Sequence, residues 1–109
     1  MVTEINESDF QKSVLDTKFP AIVDFWAPWC GPCRVMGPIF DRLSNEFNGK
    51  LKFLKMNVDE NMHLPAELGI RGIPTMIIFN KGHELDRVVG AMNESELRKK
   101  LDQLLIKVA

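Results

Sequence analysis

Two cysteines occur in the chain, Cys30 and Cys33, with only two residues between them. They lie in the run Trp26-Ala27-Pro28-Trp29-Cys30-Gly31-Pro32-Cys33-Arg34, where an apolar stretch gives way to a helical pattern. As a structural staple the pair would do little. Chain entropy gives about 2 kcal/mol for so short a loop, against about 3 kcal/mol for a loop of 15 residues. Redox chemistry is the stronger reason for the spacing. A helix start leaves backbone N–H groups unpaired and carries partial positive charge. Cys30 falls at that start, so its thiolate is stabilised and its pKa falls. Gly31 and Pro32 shape the entry, proline being suited to a first helical turn. Cys33 then falls one turn further in, within bonding reach, and is expected to be the more buried of the two. The geometry assigns roles: Cys30 attacks a disulfide, and Cys33 resolves the mixed disulfide that results. A thiol pKa lowered by about one and a half units raises the thiolate fraction at pH 7 roughly 16-fold, while lower nucleophilicity takes back about 5-fold. Placement of the second thiol therefore matters more than thiolate fraction, through its effective molarity.

A second residue with chemical potential is Asp24, inside the apolar run Ala21 to Trp26, AIVDFW. It shares a strand face with Ile22 and Trp26, and the strand leads straight to the cysteines. One reading is a solvated carboxylate on an edge strand. The other is a buried carboxyl of raised pKa that accepts the Cys33 proton. Lys55 is a candidate partner for it, with a solvated lysine as the alternative. A C-x-x-C pair is also half a zinc site, but His63 and His83 are far apart and lack H-x₃₋₅-H spacing, so no metal is expected. No G-x-G-x-x-G or P-loop is present, and no bound cofactor is expected.

The elements that must position these groups alternate between β and α. Val2 to Ile5 is a possible edge strand. Ser8 reads as the cap of a first helix, with Gln11 completing its box and Phe10, Val14 and Leu15 as its apolar face. Phe19-Pro20 ends that helix. Ala21 to Trp26 has the near-continuous apolar character of a strand buried on both faces. A long helix then runs to about Phe47, with Val35, Met36, Ile39, Phe40, Leu43 and Phe47 at helical spacing and Pro38 inside it. Leu51 to Val58 is the next strand, Glu60 to Leu68 a short helix, and Thr75 to Phe79 another buried strand. Asn80-Lys81-Gly82 turns the chain into Glu84 to Val89, a hairpin partner. Asn93 caps the last helix with Glu96 in its box, and Leu97, Leu101, Leu104 and Leu105 face the sheet. The fold class is therefore α/β: a central mixed sheet, parallel in its first half and ending in an antiparallel hairpin, with helices on both faces.

Bulk properties narrow the function. The 109 residues suit one domain, residues 1–109, and are 45% hydrophobic and 27% charged. Fourteen basic and 15 acidic residues leave a formal net charge of -1. Such balance gives no footprint for nucleic acid or for an anionic membrane. No apolar run approaches the ~20 residues of a membrane span. The polar, acidic start from Met1 to Phe10 is unlike a secretory signal, so the expected compartment is the cytoplasm, where thiols stay reduced.

Together these residues resemble the thioredoxin family over essentially the whole chain. Cys30-Gly31-Pro32-Cys33 with Trp26 and Trp29 matches that family's active-site segment. Asp24 falls at its buried acid, Lys55 at a neighbouring lysine, and Pro38 at its helix proline. Gly69-Ile70-Arg71-Gly72-Ile73-Pro74-Thr75 is similar to the segment with the family's cis-proline, and Gly82 and Gly90 match two further glycines. The resemblance implies a general protein thiol–disulfide reductase. It implies a cis bond before Pro74 and a shallow client-binding patch from Trp29, Gly31, Pro32, Ile73, Pro74, Gly90 and Ala91. Backbone pairing beside Pro74 would hold a client peptide as an added strand. It further implies a monomer that takes electrons from a thioredoxin reductase, flavin-dependent and NADPH-using by default or ferredoxin-linked as the alternative. Arg34, where lysine is common, and His63-Leu64 depart from the family pattern without removing a catalytic part. A non-catalytic thioredoxin-fold binding module is the competing function.

Overall fold

The computed structural model describes residues 1–108; Ala109, the last residue of the expected domain, lies outside the described residues. Its sheet has five strands: β1 (Val2–Glu4), β2 (Ala21–Trp26), β3 (Lys52–Asn57), β4 (Thr75–Asn80) and β5 (His83–Val89). Their spatial order is β1-β3-β2-β4-β5. The pairs β1·β3 and β2·β3 are parallel, whereas β2·β4 and β4·β5 are antiparallel. The AIVDFW strand is thus interior, with a hydrogen-bonded neighbour on either side, as its apolar run requires.

Three helices flank the sheet: α1 (Gly31–Glu46), α2 (His63–Glu67) and α3 (Glu94–Val108). The crossover from β2 to parallel β3 runs through α1, since parallel strands cannot be joined by a tight turn. Alternation along the strands divides the core in two. Ile22, Phe53, Met76 and Ile78 pack with Met36, Phe40 and Leu43 of α1 and with Leu97 and Leu101 of α3. On the opposite face Val23, Phe25, Leu54, Met56 and Ile77 pack with Phe10 and Val14. Asp24 has the parity of Ile22, so it lies on the side covered by α1. The hairpin between β4 and β5 turns at Lys81 (φ 52°) and Gly82 (φ 82°). Two successive positive φ values match the right-handed twist of paired strands, and glycine adopts one of them without strain.

The structure corrects three expectations. The first helix is not an α-helix capped by Ser8. It is a 3-10 turn over Glu7–Asp9 followed by a five-residue π-turn over Gln11–Leu15. Asn6 holds the extended cap position (φ -101°, ψ 164°), and Asp9 Oδ2 accepts its N–H at 3.1 Å. Asp16 N–H then donates to Gln11 O at 2.9 Å, while Gln11 Nε2 donates to Asp16 Oδ1 at 2.8 Å across the same span. Second, Val35 leaves the apolar face of α1 and is 61% exposed, because Met36, Phe40 and Leu43 fill the side turned to the sheet. Third, the short helix contracts to α2, His63–Glu67, since side-chain hydrogen bonds from Asn57 and Asn61 organise the preceding residues as a turn.

Candidate active site

Cys30 and Cys33 are joined by a disulfide, with their Cα atoms 5.2 Å apart. The positions follow from how α1 starts. Cys30 is its cap, extended at φ -84° and ψ 114°, and Pro32 stands in the first turn, where a missing N–H costs nothing. The Cys33 N–H points back and donates to Cys30 Sγ at 3.2 Å. One otherwise unpaired helix N–H is thus satisfied by sulfur, at the positive end of the helix dipole. The arrangement favours negative charge on Cys30 once the disulfide is opened.

The expected difference in burial is not found. Cys30 is 4% and Cys33 6% exposed, and both pack with Ala27 against Trp26, Val58 and Ile73. Cys30 is covered from the side that sequence spacing does not reveal: its Sγ lies 3.7 Å from the Ile73 carbonyl oxygen, 43 residues along the chain.

Asp24 is buried at 4% exposure, which excludes the solvated edge-strand reading. Loss of water raises its pKa from 3.8 to about 7, and the Lys55 charge opposes that rise. Lys55 is the register neighbour of Asp24 across β2 and β3. Its ion pair, however, is with Glu4 Oε1 at 3.9 Å, and its ammonium lies 5.2 Å from the centre of the Trp26 ring. Lys55 therefore acts on Asp24 through its field, not through a direct bond. Asp24, Trp26, Cys33 and Lys55 line one cavity of about 160 Å³ beneath the start of α1. Asp24 Oδ1 and Trp26 Nε1 are buried there without a protein partner.

Of the other expected residues, Ile73 packs directly against the disulfide. Trp29 is 67% exposed. Gly31 and Pro32 are exposed in the first turn of α1, and Ala91 is exposed after β5. Ile73 is half-buried and precedes a cis peptide bond to Pro74, as the family resemblance implies. The Pro74 carbonyl is engaged by the Gly90 N–H at 2.8 Å. Gly90 itself has φ 90°, a conformation suited to glycine. Pro74 itself is buried and has no N–H, and its carbonyl already accepts one hydrogen bond. Asp59 escaped sequence reasoning: the Trp29 Nε1–H donates to its two carboxylate oxygens at 3.1 and 3.0 Å. An acidic residue 30 positions away at a strand end carries no sequence signal of that contact.

A family model described as Thioredoxin matches residues 1–103. The chain is 44% identical over 102 residues to the thioredoxin of Synechocystis sp., covering 94% of this chain and 95% of that relative. It is 46% identical over 97 residues to the thioredoxin of Rickettsia felis, covering 89% and 92%. With the thioredoxin of Haemophilus influenzae it shares 43% identity over 102 residues, covering 94% and 95%. With the Cys30–Cys33 disulfide at the start of α1, a five-stranded mixed sheet and these relatives, the chain belongs to the thioredoxin family.

Proposed function

We propose that Cys30 is the attacking thiol and Cys33 the resolving thiol of the dithiol–disulfide exchange that this protein-disulfide reductase carries out. The observation that carries the assignment is the Cys33 N–H donated to Cys30 Sγ at the cap of α1. In the reduced protein the Cys30 thiolate attacks one sulfur of a client disulfide, and the other client sulfur leaves as a thiolate. The Cys33 thiol then loses its proton and attacks Cys30 Sγ, releasing the second client thiolate and closing the Cys30–Cys33 disulfide. Two electrons pass to the client, and the departing thiolates take up protons. Cys33→Ser should accumulate mixed disulfides with client proteins on non-reducing gels, and Cys30→Ser should not. Equal trapping by both variants would refute the division of roles.

Asp24 is the acceptor for the Cys33 proton in this reading. A pKa of about 7 lets it take a proton and return it at neutral pH. The shared cavity is roomy enough for water to bridge carboxyl and sulfur. Lys55 keeps the carboxyl from rising further. Clients dock on the surface formed by Trp29, Gly31, Pro32, Ile73, Gly90 and Ala91, with Pro74 buried beneath it. Their backbone pairs with Ile73, where β4 has not yet begun. A thioredoxin reductase restores the dithiol, and the protein works as a monomer in the cytoplasm. Among the described residues no helix is long and apolar enough to cross a membrane. Turnover of insulin disulfides with dithiothreitol as electron source tests the activity; a folded protein that is inert would be a binding module instead.

A further inference from the structure

Two asparagines, Asn57 and Asn61, are buried, and exchange chemistry uses neither. Asn61 is only 3% exposed, and it joins the N-terminal turn to the end of β3. Its Oδ1 accepts the Glu7 N–H at 2.8 Å, and its Nδ2 donates to the Asn57 carbonyl at 3.0 Å. Glu7 returns the contact: its Oε1 accepts the Leu64 N–H at 2.8 Å. The loop from residue 57 to 64 is thereby fastened to the N-terminal turn at Asn61 and at Leu64. Inside the loop, Asn57 Oδ1 accepts the Asp59 N–H at 2.9 Å and Asn57 Nδ2 donates to Glu60 Oε1 at 3.1 Å. Asp59 in turn holds the Trp29 indole through both carboxylate oxygens. Trp29 itself is mostly exposed, so packing alone does not fix its ring.

We propose that Asn61, assisted by Glu7, is a positioning residue for client recognition: it sets the 57–64 loop so that Asp59 aims the Trp29 indole. The inference rests on the reading of Trp29 as part of the client surface. Loss of the Asn61 side chain leaves the part-buried Glu7 N–H without its partner and the Asn57 carbonyl with the Glu60 N–H alone, so the loop rearranges to rehydrate the Glu7 N–H. Asp59 then moves with it, and the indole loses its acceptor. Neither cysteine nor Asp24 belongs to this chain of bonds, so exchange chemistry itself is untouched.

The test compares Asn61→Ala, Glu7→Ala and Glu7→Gln with the parent protein. Nitrogen-proton NMR reads the Trp29 and Trp26 indole N–H resonances separately, and kinetics compare a client protein with a small aromatic disulfide. Asn61→Ala and Glu7→Ala should shift the Trp29 resonance and leave that of Trp26 in place. They should raise KM for the client about 5-fold, the effect of one lost hydrogen bond, with small-disulfide rates within about 2-fold. Glu7→Gln keeps an acceptor for the Leu64 N–H and should behave as the parent. Should Asn61→Ala fail to fold, Glu7→Ala carries the same readouts from a half-buried position. An unmoved Trp29 resonance, or equal losses on both substrates, would overturn the inference. Trp29→Ala separates the two layers. No change in client KM there overturns the surface reading itself. A raised KM there, with none in the Asn61 and Glu7 variants, overturns the positioning role alone.

Discussion

Asp24 shows how one residue couples stability to activity. Its carboxyl is buried, and its folded-state pKa of about 7 stands above the ordinary 3.8. Between those values the folded protein holds a proton that the unfolded chain has released. Stability from this group is therefore full below about pH 4, falls as pH rises through 7, and stays lowered above it. At about 1.4 kcal/mol for each tenfold change in proton affinity, the gap amounts to about 4 kcal/mol above pH 7. Asp24→Ala should be more stable than the parent at pH 8 by a few kcal/mol and lose that advantage near pH 4. Urea unfolding across pH checks both limbs, and equal stability at pH 8 would contradict the burial cost. The same variant should reduce insulin more slowly, with the largest deficit in the closing of Cys33 onto Cys30. In the proposed exchange the two thiols are served differently: Cys30 has a backbone N–H at a helix start, whereas Cys33 shares a cavity with the Asp24 carboxyl proposed to take its proton.

Among the elements, the two long helices place and clamp the site. The start of α1 is determined by Cys30 as cap and Pro32 in the first turn, so the reactive pair lies at a helix terminus by construction. The start of α3 uses Asn93, whose Oδ1 accepts the Glu96 N–H at 2.9 Å. Asn93→Ala should cost about 1 kcal/mol in urea unfolding. Its redox activity should be unchanged, because α3 supports the sheet from behind α1 and carries no site residue. Both of these starts were legible, since a capping side chain precedes a helix-period apolar pattern. The N-terminal turns were not. Their cap lies two residues earlier than the Ser-x-x-Gln pattern suggests, because Asp9 bonds back to Asn6 and the Gln11–Asp16 contact widens the next turn. Short segments hold too few apolar repeats for periodicity to outweigh such local bonds.

At the scale of the whole molecule, stability comes from the two layers pressed on a central sheet. Leu97 is fully buried between α3 and the strands. Leu97→Ala should lower unfolding free energy by about 2–5 kcal/mol, the usual cost of a cavity in a packed core. Chemical denaturation measures it, and a loss below about 1 kcal/mol would mean the two layers relax to fill the space. Across the outside, Arg42 and Arg98 bridge α1 and α3 through Glu94 and Glu46 at 2.6 to 3.3 Å. These groups are solvent-exposed and screened by salt, so Arg42→Ala should leave the denaturation midpoint where it was.

The chain order alone determined the redox pair, its place at a helix start and the burial of β2. Each of these is local: C-x-x-C spacing, a proline in a first turn, and an apolar run with one carboxyl inside it. The parity of Asp24 with Ile22 even placed it on the proper face. Tertiary structure decided the rest, because it depends on distant segments. The Ile73 carbonyl arrives beside Cys30 from 43 residues away and makes that sulfur as buried as Cys33. Lys55 lies next to Asp24 only because β2 and β3 are parallel and in register, and its ion pair with Glu4 needs β1 on the far side. Asp59, Asn61 and Glu7 reach Trp29 through hydrogen bonds between loops, which have no periodicity to read. Local physics wrote the reactive groups into the sequence; the fields, covers and tethers around them exist only where the folded sheet brings separate strands and loops together.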